Sequence, residues 1–199
     1  MKLRATILFI YIISLNSVIF GQKLNDADST EVCKITNDFF NWYLGAINGE
    51  INSICQPKFI AGKDSMTTLD FKDYFDNLKK HNCSDFLIEK ERKTYNVCIK
   101  NLEKIKFVDF DTQYTDLDQF EEINCDFGNY YRWTGGQEPI QGIRITKTEM
   151  ISSAQIKVTI DYYFDNGEKY GLSYWGNNEI TLTKNKNIWK IDEINWRNI

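Results

Sequence analysis

Histidine is almost missing from this sequence: His81 is the only one in 199 residues. A zinc site built on several histidines is therefore excluded. Any Ser–His–Asp or Cys–His device would have to run through His81, and no G-x-S-x-G surrounds any serine. The five cysteines (Cys33, Cys55, Cys83, Cys98, Cys125) form no C-x-x-C, which removes the thioredoxin-like motif and the zinc ribbon. An EF-hand counted from Asp109 places Tyr114 sixth and Phe120 twelfth, where glycine and glutamate are required. The motifs imply no cofactor and no metal.

Positive charge is also scarce. Of 24 basic residues, Lys2 and Arg4 belong to the leader, which leaves 22 against 28 acidic ones and a net charge of −6. Such a chain is poorly suited to holding phosphate backbones, and no cluster of Lys and Arg interleaved with aromatics offsets this. Nucleic acid is not an expected partner.

There is one long apolar run, Ala5 to Phe20, broken by Thr6, Ser14, Asn16 and Ser17. Its sixteen residues fall short of the ~20 of a membrane-spanning helix. With Lys2 and Arg4 before it and Gly21 after it, the run reads as a secretory signal peptide over residues 1–21, despite Ile19 at an imperfect cleavage position. An uncleaved anchor is the alternative. The expected location is periplasmic or extracellular, without stable membrane insertion once the leader is removed. Residues 22–28 read as a flexible mature N-terminus and 29–199 as one domain.

An exported chain with five cysteines invites disulfides. Two bridges and a free thiol allow fifteen pairings; five buried thiols are the alternative. One pairing is disfavoured. If residues 84–105 form one helix, Cys83 and Cys98 stand ~22 Å apart, whereas a disulfide spans about 4.4–6.8 Å between Cα atoms.

What the sequence does hold is aromatic: 15% Phe, Trp and Tyr. In "NDFFNWYLGAING", Ile35, Phe39, Trp42, Tyr43 and Ala46 recur at helical spacing, beside a second row of Phe40, Leu44, Ile47 and Ile51. Two adjacent rows mark a deeply packed helix, opened by a capping box at Asp28-x-x-Glu31. Thr67-x-x-Asp70 reads as the cap of a second helix carrying Phe71, Tyr74, Phe75 and Leu78. Ser84 reads as the cap of a third, with Ile88, Tyr95, Cys98, Leu102 and Ile105 inside and Glu89 to Lys93 as its solvated side. Asp109 to Asp126 is acidic and irregular, and Trp133 to Pro139 reads as a loop.

After Gly142 the period becomes two. Ile156, Val158, Ile160, Tyr162 and Phe164 alternate with polar residues, Asn166-Gly167 signals a hairpin, and Tyr170, Leu172 and Tyr174 continue the alternation. A bulge is expected at Gly176–Asn178. The order predicts an α+β domain, its N-terminal helices on the concave face of a curved, mainly antiparallel sheet of four to six strands.

"FFNWYLGAI" near the mature N-terminus and "IWKIDEI" near the end resemble a bacterial exported branch of the nuclear-transport-factor-2-like (cystatin-like) superfamily, over roughly residues 30–196. The resemblance implies a cone-shaped fold with an open mouth, homodimerisation through the open sheet face, and functions ranging from isomerases to neutralising proteins. Within such a cone, Trp42, Tyr43, Tyr162, Tyr174 and Trp189 are the candidates to line a pocket for a small apolar or sugar-like ligand. Asp161 with a neighbouring tyrosine is the candidate acid–base pair of an enzyme. Asp109, Asp111, Asp116, Asp118, Glu121 and Glu122 are the candidates to meet a basic protein partner. With neither nucleophile nor metal motif present, the expectation is a non-enzymatic binding protein, of immunity or envelope type.

Overall fold

The computed structural model describes residues 25–129, 132–135 and 140–196; the leader lies outside them, as does most of the loop expected at residues 133–139. The first part of the chain is α1 (Asp26–Ile47), β1 (Lys58–Ala61), β2 (Thr67–Asp70), α2 (Lys72–Lys80), α3 (Asp85–Thr94) and α4 (Asn96–Leu102). Then come α5 (Phe107–Gln113), α6 (Leu117–Glu122), β3 (Gly142–Ser152), β4 (Gln155–Asp165), β5 (Leu172–Asn185) and β6 (Ile188–Trp196), with a 3-10 turn at Asp126–Asn129 before the strands. Among the described residues no helix is long and apolar enough to cross a membrane.

The alternation after Gly142 builds a four-stranded antiparallel meander in the order β3-β4-β5-β6. Ile156, Val158, Ile160 and Tyr162 of β4 are buried under the helices, while Lys157, Thr159, Asp161 and Tyr163 face outward. The class is α+β, with helices on one side of the sheet. Each strand pairing carries a register shift, and such bulges bend a sheet and sharpen its twist. The bulge expected at Gly176 is present. That glycine has a φ of +74°, and a Cβ there would lie 2.9 Å from the Tyr162 ring, so any side chain would be both strained and crowded.

The hairpin after β4 is wider than the Asn-Gly signal suggests. Asn166 donates to the Gly171 carbonyl at 3.2 Å and to Ser173 Oγ at 2.6 Å, closing a loop that leaves Tyr170 outside the alternation. On the outer face, ion pairs cross the strands: Arg144–Asp161 at 2.6 Å and Lys157–Glu179 at 3.0 Å.

The α1 aromatics pack onto this sheet. Phe39, Phe40, Trp42, Tyr43 and Leu44 are all buried, and α1 meets β3, β4 and β6. The helix starts before the expected cap. Asn25 is the N-cap and accepts from the Asp28 backbone N–H at 2.7 Å, so residues 25–28 are folded rather than a flexible terminus. Asp28 plays a different part. It accepts from Trp189 Nε1 at 2.8 Å and from Lys184 Nζ at 2.6 Å, pinning the start of α1 to β5 and β6.

Two further expectations are corrected. Thr67–Asp70 is a strand paired with β1, because the Thr67 hydroxyl is buried and donates to the Ile105 carbonyl at 3.0 Å. The single helix over residues 84–105 divides at Tyr95 into α3, capped by Ser84 through the Leu87 N–H at 3.1 Å, and α4. At the break the Thr94 hydroxyl donates to the Glu91 carbonyl at 2.7 Å.

Cys98 bonds to Cys125, while Cys33, Cys55 and Cys83 are thiols. The segment expected to be irregular after Asp109 holds α5, α6 and the 3-10 turn. They are organised by Phe110, Tyr114, Phe120 and Phe127 around Phe59, with the Phe59–Phe110 centroids 4.6 Å apart.

Two stability effects follow. Replacing Cys98 and Cys125 by Ala opens a loop with a sequence separation of 27, and urea unfolding is expected to show a loss of about 3.5 kcal/mol; a loss under about 1 kcal/mol would show that the bridge constrains little. Asp28→Ala is expected to cost about 2 kcal/mol by stranding the Trp189 indole N–H. Hydrogen bonding by Lys184 and Trp189 holds the Asp28 pKa below its ordinary 3.8. The difference between wild type and variant should therefore persist above about pH 4 and shrink as pH falls through the lowered value.

Candidate functional site

Of the five aromatic residues expected to line a cone pocket, Tyr43, Tyr162 and Trp189 pack as core, Trp42 packs there with one edge on a surface groove, and Tyr174 lies outside. Tyr43, Tyr162 and Trp189 are buried, as is nearly all of Trp42. Phe40 meets the Tyr162 ring edge-on at 6.1 Å between centroids, and Trp189 is held by Asp28. Burial pushes the Tyr43 and Tyr162 hydroxyls far above the ordinary phenol range. Tyr174 lies on the outer sheet face, 41% exposed, with the Arg144 guanidinium 3.8 Å over its ring. Asp161 faces the same way, paired to Arg144, so the expected acid–tyrosine pair is not inside the fold. The five aromatics do not converge, because Tyr174 pairs with Tyr163 on the outer face, which period-two alternation sets opposite to the face of Tyr162.

His81, at the C-cap of α2, stacks on Trp42 at 4.5 Å. Asp38, Ser53 and His81 line one surface groove of about 590 Å³. Ser53 Oγ is already engaged, accepting from Trp42 Nε1 at 2.8 Å and Asn77 Nδ2 at 3.3 Å. Among the described residues no hydrogen bond joins His81 to Ser53 or Asp38, and burial with Lys80 beside it lowers the imidazole pKa. The groove lacks the nucleophile–base contact that a triad requires.

Glu91 is the residue that sequence reasoning misses. Its charged neighbours place it on the solvated side of its helix, yet its side chain is fully buried. Oε1 accepts from Tyr74 at 3.0 Å and Tyr95 at 2.9 Å; Oε2 accepts from Arg132 Nε at 2.8 Å and Nη2 at 2.7 Å. Desolvation works against the Arg132 charge, but Glu91 outweighs it and raises the guanidinium pKa. Burial, then the Glu91 charge, push both tyrosine hydroxyls upward. The signal is present in the spacing: Glu91 lies at i+3 from Ile88 and i−4 from Tyr95, within the apolar row rather than opposite it. With both oxygens saturated, this carboxylate is a structural anchor.

The acidic candidates lie together on α5 and α6. Asp111, Asp116, Asp118, Glu121 and Glu122 are exposed and Asp109 is half-buried. Asp116 caps α6 through the Gln119 N–H at 3.1 Å, with Gln119 answering to the Asp116 N–H at 3.3 Å. None of the six belongs to an ion pair among the described residues, and Val108 and Leu117 beside them are 78% and 43% exposed. Among the described residues no three His, Cys, Asp or Glu side chains are arranged to hold a metal ion.

No protein-family model matches the sequence, and no curated protein does.

Removing the Glu91 carboxylate would leave two buried hydroxyls without their acceptor and take from Arg132 its two bonds to Oε2. Glu91→Ala is expected to cost about 3–5 kcal/mol by chemical denaturation. A cost under about 1 kcal/mol would mean that the network does not hold the fold.

Proposed function

We propose that this protein is an exported, non-enzymatic binding protein of nuclear-transport-factor-2-like type whose α5–α6 face receives a basic protein partner. One observation carries the reading. Asp109, Asp111, Asp116, Asp118, Glu121 and Glu122 are gathered in the one segment 109–122 and, among the described residues, none of them faces a lysine or arginine, as Asp38, Asp73, Asp76, Asp85, Asp161 and Glu193 each do. Exposed charges of one sign focus a field that steers an opposite partner. The Cys98–Cys125 bridge agrees with an oxidising compartment. The saturation of Glu91 and the outward placement of Asp161 favour binding over turnover. Neutralisation of a basic toxin is the concrete version of this role.

Affinity capture from the exported fraction of the producing cells tests it. The wild-type chain is expected to retain a basic protein whose association slows about tenfold or more at low salt in the variant D111N/D118N/E121Q/E122Q. A retained protein whose association rate is the same with both baits would sink the reading.

A further inference from the structure

Beside the acidic segment lies a pocket of about 530 Å³, formed where the end of α1, the chain before β1, α6 and the 3-10 turn meet. Its walls include Phe59, Phe120 and Phe127, with Ile47 and Ile54 alongside. The volume falls within the roughly 300–1,000 Å³ of small-molecule sites, and apolar walls with few polar groups are their usual lining. The pocket is built from anchored parts. The disulfide holds Cys125 in its wall. Asn77 Nδ2 donates to the Ile54 carbonyl at 2.9 Å, Asn101 Nδ2 donates to the Ile123 carbonyl at 3.0 Å, and Phe59 stacks on Phe127 at 5.4 Å. A preformed cleft spares a ligand the cost of ordering the site.

The charge at this pocket has one sign. Among the described residues that line it there is no carboxylate, and Lys58 is the one charged side chain. Asp118 and Glu122 stand two positions from Phe120, about 200° around α6, and so fall on the side of the helix away from it. Lys58 is half exposed and meets Asp73 at 3.2 Å. An exposed pair of this kind is weak, and Asp73 engages one of the three ammonium N–H donors. Ser53 is a second donor in the wall. Its Oγ already accepts from Trp42 Nε1 at 2.8 Å and from Asn77 Nδ2 at 3.3 Å, which engages both lone pairs, so what the hydroxyl still offers is its proton. Gln56 adds an amide that donates as well as accepts.

We propose that this pocket binds a small amphipathic acid: an apolar body, aliphatic or aromatic, seated among the three phenylalanines, with one carboxylate drawn to Lys58 and Ser53 as a further donor. A cationic head would meet the Lys58 charge, and a neutral head would gain nothing from it. A carboxylate turns each donor into a charge-assisted hydrogen bond. None of the carboxylates proposed to meet the protein partner lines this pocket, so the inference goes beyond that reading and stands without it.

Calorimetric titration of the wild-type protein with ligands of one body and three heads tests it. Decanoate, decanol and decylammonium form one set, and phenylbutyrate with its alcohol and amine the other, at about pH 7 and about 0.15 M salt. At least one acid is expected to bind, about fivefold more tightly than its alcohol, the upper worth of an exposed ion pair, with the amine weakest. Lys58→Met should bring that acid down to its alcohol and leave the alcohol unchanged, a split that a general loss of structure would not produce. Ala46→Trp and Gln56→Trp, at two positions that line the pocket, should weaken acid and alcohol alike by about tenfold or more. Thermal melts check that these variants fold, and either folded filling variant suffices. An alcohol or amine that binds as tightly as its acid, or an acid preference that survives Lys58→Met, would overturn the carboxylate. Failure of both acids to bind, or binding indifferent to a filled pocket, would overturn the site. None of these results bears on the association of a basic protein with D111N/D118N/E121Q/E122Q, so the two readings fail separately.

Discussion

A carboxylate withdrawn from water costs several kcal/mol unless it is paired and hydrogen-bonded, and Glu91 imposes that constraint on this fold. Meeting it requires Tyr74 from α2, Tyr95 from the α3–α4 junction and Arg132 from the turn before the sheet to arrive at one point. The consequence reaches further. With Arg132 held, the adjoining Trp133 presents its backbone N–H to the Tyr43 hydroxyl at 3.3 Å and its carbonyl to the Tyr162 hydroxyl at 3.4 Å. Asn178 of β5 donates to Tyr162 in turn. A polar line thus runs from the small helices through α1 to the middle of the sheet. Glu91, Tyr43, Trp133, Tyr162 and Asn178 are buried and Arg132 is half-buried, so the hydrogen bonds along the line are costly to break.

That line explains why the concave side of the sheet is filled. Tyr43 and Tyr162 supply hydroxyls to the network and rings to the core, so their positions are set from two directions. Phe39 stacks near Tyr43 and meets Trp133 edge-on at 5.9 Å, which closes the space a ligand would need. Asp28 adds the last constraint by tying the beginning of α1 to Trp189. A scaffold held this way is rigid where its aromatic residues suggest a pocket. The proposed recognition surface falls to the peripheral elements, whose own order comes from the Phe59 cluster and one disulfide.

The parts of the fold that periodicity governs were legible. Two apolar rows defined α1, alternation defined β4, and Gly176 announced its bulge through a backbone angle that favours glycine. The parts decided by distant partners were not. Thr67–Asp70 has the spacing of a helix cap, but pairing with β1 and burial of the Thr67 hydroxyl outweigh that local preference. Glu91 reads as solvated beside Glu89 and Lys90 until Tyr74 and Arg132, 17 and 41 residues away, are placed next to it. Of the site, the acidic segment was visible as composition. The pocket beside it depends on residues from 46 to 127 meeting in space, which no local pattern announces.

The charges on α6 are poorly explained by the stability of α6 itself. Asp116 and Asp118 suit the start of a helix, where the dipole favours negative charge. Glu121 and Glu122 do not: they occupy the last turn, which holds no basic residue, and the dipole there opposes them by a few tenths of a kcal/mol each. Asp118 repels both at i+3 and i+4 spacing by a similar amount. A six-residue helix has little propagation to offset this; it stands because Phe120 packs against Phe59 and Phe110. A cation brought between Asp118 and Glu122 would turn those repulsions into attractions, and the same helix would be more stable bound than free. A helix that its own charges leave strained is thus one that a basic partner would stabilise.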